Sequence, residues 1–585
     1  MTAPRVDTRN LGRLAARSIP AASIGGLIVV LAYLHGGYGP SAWGWTALLG
    51  LWAAVVALAV SSHGRVDRGG LALLGGLAAV AGWTALSTIW SLSVPRTMLE
   101  LERDVAYVAV GAALLLCRRR DDVRLMTALC AGLVLVALYG LGSYFATHPV
   151  PDATQGYLLF RPVGYANAFG GLVAMALPLC YAFAAQGKRA LAAVAAASAN
   201  VLLVALYLTQ NRAGCLALAV ALVVWLVRTN ARARAAATTI VLSIPGVLGV
   251  GALAALRVFD TSRPAGDVHL LRIGAGLGVA GIALASAALS LRLPALSLSQ
   301  RAGVRVTWIC GSVAGLALVL GLADLGNRAQ YWRAAWIAFR RHPLLGTGGG
   351  TFDEQWLRYR TSGLSVHDAH NLYLETLSEL GVVGLAALLV LLALPIVASR
   401  RNRDPLLTAC VASYVVFLVH AGFEWDWEMP VVTIAGLTLA SILVRSRPHP
   451  RDLAVRGAGR LTGTVSAAAL ATVVAVALVG NTAVTAAERQ ISNGDVQQAG
   501  VEALRARTLL PWSPEPWLVL ADVRARSHDP GGSRAALAAA VARDGADWTM
   551  WFRLAAASHA SARNAALRHA VALNPRLFAA GGSHP

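Results

Sequence analysis

The chain has 585 residues, 57% of them hydrophobic and only 14% charged, with a mean hydropathy of +0.59. A soluble domain carries about 25% charged residues and an apolar run of about 20 residues spans a bilayer, so the many apolar runs here exclude a soluble enzyme. The net charge of +21 would point to nucleic acid in a soluble protein. Here the arginines sit mainly in short connections between apolar runs, so the expected partners are membrane lipids and no nucleic acid is expected.

In chain order, a tail over residues 1–18 with Arg5, Arg9, Arg13 and Arg17 precedes the first apolar run. No A-x-A-like site follows, so that run reads as an uncleaved helix. Membrane helices are predicted near 19–35, 42–60, 70–90, 104–117, 124–146, 167–185, 190–208, 213–228, 236–256, 270–291, 304–323, 373–398, 405–422, 429–444 and 461–482. The fold class is therefore all-α: a polytopic membrane protein of about fifteen helices, with a membrane domain over 19–445 and one more helix within 446–484. The six cysteines lie within or at the edges of these runs, without metal-ligand spacing, and read as packing residues.

With the N-terminus inside, every inside connection is basic, as in Arg65 and Arg68, Arg118 to Arg120, Arg228 to Arg234 and Arg400 to Arg403. The loops 36–41 and 423–428 carry no Lys or Arg and fall outside, as does the long loop 324–372. Arg161, Arg212, Arg257, Arg263, Arg328 and Arg333 then share the outer face against the topological preference, which an anionic ligand would explain. Glu424, Asp426 and Glu428, interleaved with Trp425 and Trp427, read as solvated acids in an aromatic belt, or as acids that bind a sugar or the basic loop. Few charges are expected inside the apolar runs, which favours an enzyme over a flippase or transporter.

The longest polar interruption runs from Asn327 to Gly384. Trp332, Trp336 and Phe339 form an i, i+4, i+7 stripe, predicting an amphipathic interfacial helix that Arg328 opens. Gly346 to Gly350 lacks the Lys-Ser/Thr ending of a phosphate loop and reads as a flexible hinge or a close backbone contact with a ligand. His370-Asn371-x9-Gly381-x2-Gly384 places a histidine at a helix N-terminus, where the helix dipole disfavours protonation. A neutral imidazole there is a candidate general base, against the alternative of an interfacial helix cap. Gly381 and Gly384 would let a neighbouring helix approach closely. Arg212, in the turn Thr209 to Gly214, either snorkels to headgroups or grips a phosphate. Arg161 is a further phosphate contact and Asn167 a helix cap. His367, Asp368 and His370 supply too few ligands for a metal site, so none is expected, and Asp368 orients His370 or caps the helix.

Residues 485–585 are polar and helical. Trp517-Leu518 with Leu520-Ala521 recurs 34 residues later as Trp551-Phe552 with Leu554-Ala555, and Asp495 and Asp529 keep the same spacing. That period resembles the tetratricopeptide repeat and implies a helical repeat domain able to bind a protein partner.

Arg328-x2-Tyr331-Trp332, His342-Pro343-Leu344-Leu345-Gly346-x-Gly348, His370-Asn371-Leu372-Tyr373-Leu374-Glu375 and the x9-Gly-x2-Gly tail resemble the O-antigen ligases. Their relatives, the Wzy-type polymerases and protein O-oligosaccharyltransferases, share the pattern, and Asn211-Arg212-Ala213-Gly214 and Gly164-x2-Asn167 also fit it. The resemblance implies a GT-C-like helical fold in the cytoplasmic membrane. It implies metal- and cofactor-independent transfer of a glycan from an undecaprenyl-diphosphate carrier to a polysaccharide, protein or lipid acceptor on the outer face. His370 would be catalytic, and Arg212, Arg328 and Arg161 would bind the diphosphate. Asn371, Asp368, Asn167, Gly381 and Gly384 would support them.

Overall fold

The structure, a computed structural model, describes the chain except residues 1–7, 61–63, 118–120, 148–151, 258–264, 293–298, 324–325, 447–452, 456 and 578–585. Arg5, Arg118, Arg119, Arg120 and Arg263 therefore lie outside the described residues. Each of the fifteen predicted apolar runs coincides with a helix. The first eleven helices are α1 (Thr8–Tyr33), α2 (Pro40–Val60), α3 (Arg68–Ser87), α4 (Val94–Leu115), α5 (Asp122–Ala146), α6 (Ala166–Gln186), α7 (Arg189–Thr209), α8 (Arg212–Arg228), α9 (Arg232–Ala255), α10 (Ala265–Arg292) and α11 (Gln300–Ala323). Two shorter helices of the polar segment follow, α12 (Arg328–Arg341) and α13 (Phe352–Tyr359), and then α14 (Leu372–Ser399), α15 (Pro405–His420), α16 (Pro430–Val444) and α17 (Gly457–Ser492).

Nine helices among the described residues are long and apolar enough to cross a membrane. The 104–117 run is not one of them. It is the second half of α4, which begins at Val94 and carries Glu100, Glu102, Arg103 and Asp104 in its first half. At the centre stands α6, with almost every side chain from Ala166 to Phe183 buried. Gly170 and Gly171 make that packing possible, because a Cβ at either would lie 2.6 Å from Asn211 or 2.8 Å from His420.

Connections alternate between two ends of the bundle. At one end, strands β1 (Gly64–Val66) and β2 (Leu453–Val455) pair antiparallel. The same end joins Arg228 to the Ser399 carbonyl at 2.7 Å and buries Arg445 against Asp122 at 2.9 Å. At the other end the loops around 36, 164, 210, 342–371 and 421–429 meet one another, and the polar chemistry gathers there. Asx and Ser caps define many of the helix starts. Ser93, Asn211, Asn371 and Asp404 each accept backbone N–H groups of α4, α8, α14 and α15, a contribution of about 1 kcal/mol apiece.

α17 does not stop where its apolar run ends but continues to Ser492. Beyond it lie α18 (Val496–Leu509), α19 (Glu515–Arg526), α20 (Pro530–Val541), α21 (Trp548–Ala556) and α22 (Ala560–Leu573). Asp495 and Asp529 owe their spacing to one job: each caps the helix that follows it, accepting from Gln498 N at 3.0 Å and Gly532 N at 2.8 Å. These helices share an alanine- and leucine-rich core that includes Ala487 of α17. They rest on the polar end of the bundle, where Ser93 donates to Asp544 at 2.9 Å and Arg360 to Asn574 at 2.9 Å.

Candidate functional site

The start of α14 organises the site. Asn371 caps it, its Oδ1 accepting from Tyr373 N and Leu374 N at 3.0 Å, while its Nδ2 donates to the Gly422 carbonyl at 2.8 Å. Asn371 rather than Asp368 or His370 is thus the cap, and it ties α14 to the turn after α15. His370 sits just outside the helix with φ 53, the left-handed region that a non-glycine residue rarely occupies. Its Nδ1 lies 3.1 Å from the Asp368 carbonyl oxygen. That contact places the N–H on Nδ1 and leaves the Nε2 lone pair open. Tyr331 packs on the ring at 5.3 Å, itself held edge-on by buried Trp356 at 5.0 Å. Burial lowers the His370 pKa below the ordinary histidine value, outweighing the opposing Glu424 carboxylate. The imidazole is therefore neutral near pH 7, through burial more than through the helix dipole.

The acids between Trp425 and Trp427 and beside them are not solvated. Glu424 and Asp426 are 1% exposed and Glu428 6%. Glu424 and Glu428 meet partners that lie far away in sequence, while Asp426 faces His420, six residues before it. Glu424 accepts from Tyr165 Oη at 2.8 Å and Asn167 Nδ2 at 2.9 Å, and forms an ion pair with Arg328. Arg328 also donates through Nε to the Phe423 carbonyl at 2.9 Å. Asn167 is accordingly not a cap: α6 begins at Ala166 after Tyr165, which makes no side-chain cap bond.

A second branch reaches the turn before α8. The Asn211 Oδ1 accepts from Gly214 N at 2.8 Å, which fixes the amide so that Nδ2 donates to the Asn167 carbonyl at 2.7 Å and meets His420 Nε2 at 2.9 Å. His420 must then accept at Nε2 and carry its proton on Nδ1, facing Asp426 at 3.3 Å. This buried network seats the turn from which exposed Arg212 projects. Arg328, His370, Asn371 and Asn167 are thus joined around the 421–428 loop, with Arg212 one residue from Asn211.

The glycine run is not a flexible hinge. Gly381 breaks α14 with φ 67 and ψ −170, and the chain from Pro343 to Phe352 inserts beside the break. Val382 N donates to the Pro343 carbonyl at 2.9 Å and Gly348 N to the Glu379 carbonyl at 2.8 Å. Both oxygens of the Glu379 side chain accept backbone N–H groups, from Gly350 at 3.0 Å and Phe352 at 2.9 Å. A Cβ on Gly381 would lie 2.2 Å from the Leu344 oxygen, so this glycine admits a loop rather than the neighbouring helix expected. Gly384 does face a helix, with Trp83 of α3 about 3.1 Å from its would-be Cβ.

Charges are more deeply buried here than the sequence suggests. Arg103, 1% exposed, pairs with Glu100 and, at 2.8 Å, with Glu428, between the rings of Trp43 and Trp427. Asp368, Glu375 and Glu428 bring one carboxylate oxygen each within 4.8 Å of one another, a geometry that could hold a metal ion. Of the three residues weighed from sequence only Asp368 takes part: His367 instead faces Asp353 at 3.5 Å, and Asp353 and Glu354 bind Arg96 at 2.7 Å each. Burial and then Glu428 push the Asp368 pKa well up, against the pull of Arg103.

Arg161 stands apart. It lines a cavity of about 510 Å³ between α5, α10 and the 152–161 loop, together with Arg272. Arg272, Arg103, His420 and Glu379 were missed by sequence reasoning. Only their occurrence within or beside apolar runs could have flagged them.

Residues 196–389 match the model of the O-antigen ligase (Wzy_C) family. The matched stretch runs from within α7 through the Arg212 turn, α12 and His370 to the Gly381 break. No curated protein matches the chain.

Proposed function

We propose that the chain, whose residues 196–389 match the O-antigen ligase family model, is a membrane glycosyltransferase of polysaccharide biosynthesis that transfers a glycan from an undecaprenyl-diphosphate carrier to an acceptor hydroxyl. The acceptor oxygen attacks the anomeric carbon, the bond from that carbon to the diphosphate oxygen breaks, and the hydroxyl proton passes to His370 Nε2. Arg328 and Arg212 offset the charge that builds on the departing diphosphate. The observation that carries this reading is the half-buried His370 with Nδ1 on a backbone carbonyl, next to Asn371, which bonds the loop that also holds Arg328 and, through Asn167, the Asn211 turn beside Arg212. Transfer needs no metal in this reading, because the arginines supply the positive charge and Arg103 already occupies Glu428. The acceptor separates ligase from polymerase: a deletion strain that accumulates lipid-linked polymer supports the ligase, and a single lipid-linked repeat unit the polymerase. Most buried charges gather at the end that carries His370, with Arg445 and Asp122 at the other end, rather than along a central path, which favours an enzyme over a flippase. Helices α18 to α22, read as tetratricopeptide-like, would offer the acceptor or a protein partner a docking surface.

Arg212→Ala and Arg328→Ala should each weaken transfer and carrier binding ten- to a hundred-fold, the worth of about 1.5–3 kcal/mol for a charge-assisted contact. Lysine at either position should recover only part, since it lacks the planar fork. In vitro transfer from purified carrier, with carrier binding scored separately, checks this. Unchanged binding in both variants would remove the arginines from the diphosphate. In this reading the active end lies on the outer face of the cytoplasmic membrane, with the N-terminus inside, as the basic connections support. In a cysteine-free background, cysteines at Ser362 and Gly531 should react with a membrane-impermeant thiol reagent in intact cells and one at Asn402 should not. The reverse pattern would turn the protein over.

A further inference from the structure

Arg272 is a charge without a visible reason. It lies inside the candidate span Val268–Leu291, about one turn from its outer end, yet is only 4% exposed, so it does not snorkel to solvent. Its guanidinium carbon is 4.3 Å from the Tyr144 ring and 5.8 Å from the Tyr157 ring. Among the described residues no carboxylate pairs with it, its Nε has no hydrogen-bond partner, and neither has the buried hydroxyl of Tyr144. A buried charge is costly unless an opposite charge meets it. The same cavity of about 510 Å³ presents Arg161, whose guanidinium carbon stands 5.7 Å from the Phe160 ring. Its one carboxylate, Asp152, is occupied elsewhere: Oδ1 accepts from Thr154 N, Thr154 Oγ1 and Gln155 N at 2.8 to 2.9 Å.

Outside the cavity, α10 presents Leu270, Ile273, Leu277 and Leu284 as exposed side chains, a surface suited to acyl or isoprenoid chains. We propose that the cavity between α5, α10 and the 152–161 loop binds the phosphate of a membrane lipid, with Arg272 and Arg161 on its oxygens, Tyr144 donating to it, and the lipid chains on α10. Two arginines against one already satisfied aspartate leave the pocket cationic, and the unpaired donors match phosphate acceptors. The shared chemistry fits a phospholipid headgroup or the diphosphate of the carrier. The site does not depend on His370 acting as a base.

Native mass spectrometry of the purified full-length protein decides it, with dioleoylphosphatidylglycerol and undecaprenyl diphosphate titrated separately. The second titration is run in an Arg328→Ala background, so that carrier held at the transfer site does not mask the result. Arg272→Gln and Arg161→Gln should each weaken binding of at least one lipid by about tenfold, while dioleoylglycerol, which lacks phosphate, should not compete. A loss confined to phosphatidylglycerol assigns a resident phospholipid, and a loss confined to the diphosphate assigns a second carrier position; either supports the site. Arg161 is exposed, so Arg161→Gln reports even if Arg272→Gln fails to fold. Retention of both lipids at wild-type affinity by the folded variants overturns the proposal.

Discussion

His370→Ala should abolish transfer while leaving expression and carrier binding largely intact. The side chain is only half-buried and its hydrogen bond is to a carbonyl two residues away, so its removal costs the fold little. Loss of a general base typically costs about a hundred- to ten-thousand-fold in rate. The wild-type pH profile carries the same signature. Burial holds the His370 pKa below the ordinary value of about 6.5. The base form therefore persists below that pH, and the acid limb of kcat/KM should fall there rather than near neutrality. Transfer by His370→Ala at near the wild-type rate would leave the arginines as the main catalytic groups.

Gly381→Ala should do the opposite, damaging the fold while touching no reacting group. At φ 67 and ψ −170 the backbone occupies a region reserved almost wholly for glycine, and the new methyl would meet the Leu344 oxygen at 2.2 Å. Strain of this kind costs about 1–3 kcal/mol before the clash is counted. Relief would require withdrawing the 343–352 segment from the break in α14. Thermal unfolding of the detergent-solubilised protein, followed by size-exclusion chromatography, should show a large loss for Gly381→Ala. Gly363→Ala, whose Cβ would meet nothing within 4 Å, should show none. Equal stability of the two would mean that the break in α14 is not needed.

The positions of the helices were legible because hydropathy survives any tertiary context: a run such as 167–185 has few ways to be anything but a buried helix. The motif residues were legible for the same local reason, a histidine and asparagine placed just before a long apolar run. What could not be read was the partner of each charge. Glu424 looked solvated because its donors, Tyr165, Asn167 and Arg328, are between 96 and 259 residues away. Gly381 looked like a helix–helix contact because sequence spacing does not reveal a break in the helix. Arg103 and its acids were hidden by the start of α4, placed ten residues too late. Arg272 gave no local signal, because its burial comes from elements distant in sequence.

The 36 residues of α17 form one helix about 54 Å long, from the basic end of the bundle into the core of the C-terminal helices. No loop separates membrane anchor from appended domain, so the domain is carried on a rigid strut rather than a tether. With Asp544 and Asn574 bonded to Ser93 and Arg360, the strut is braced at its far end too. If those helices hold the acceptor, as proposed above, it would be delivered to His370 at a fixed distance and bearing. Selection of the acceptor would then be a matter of ruler and angle, in which a longer or shorter molecule is refused by reach before any contact is tested.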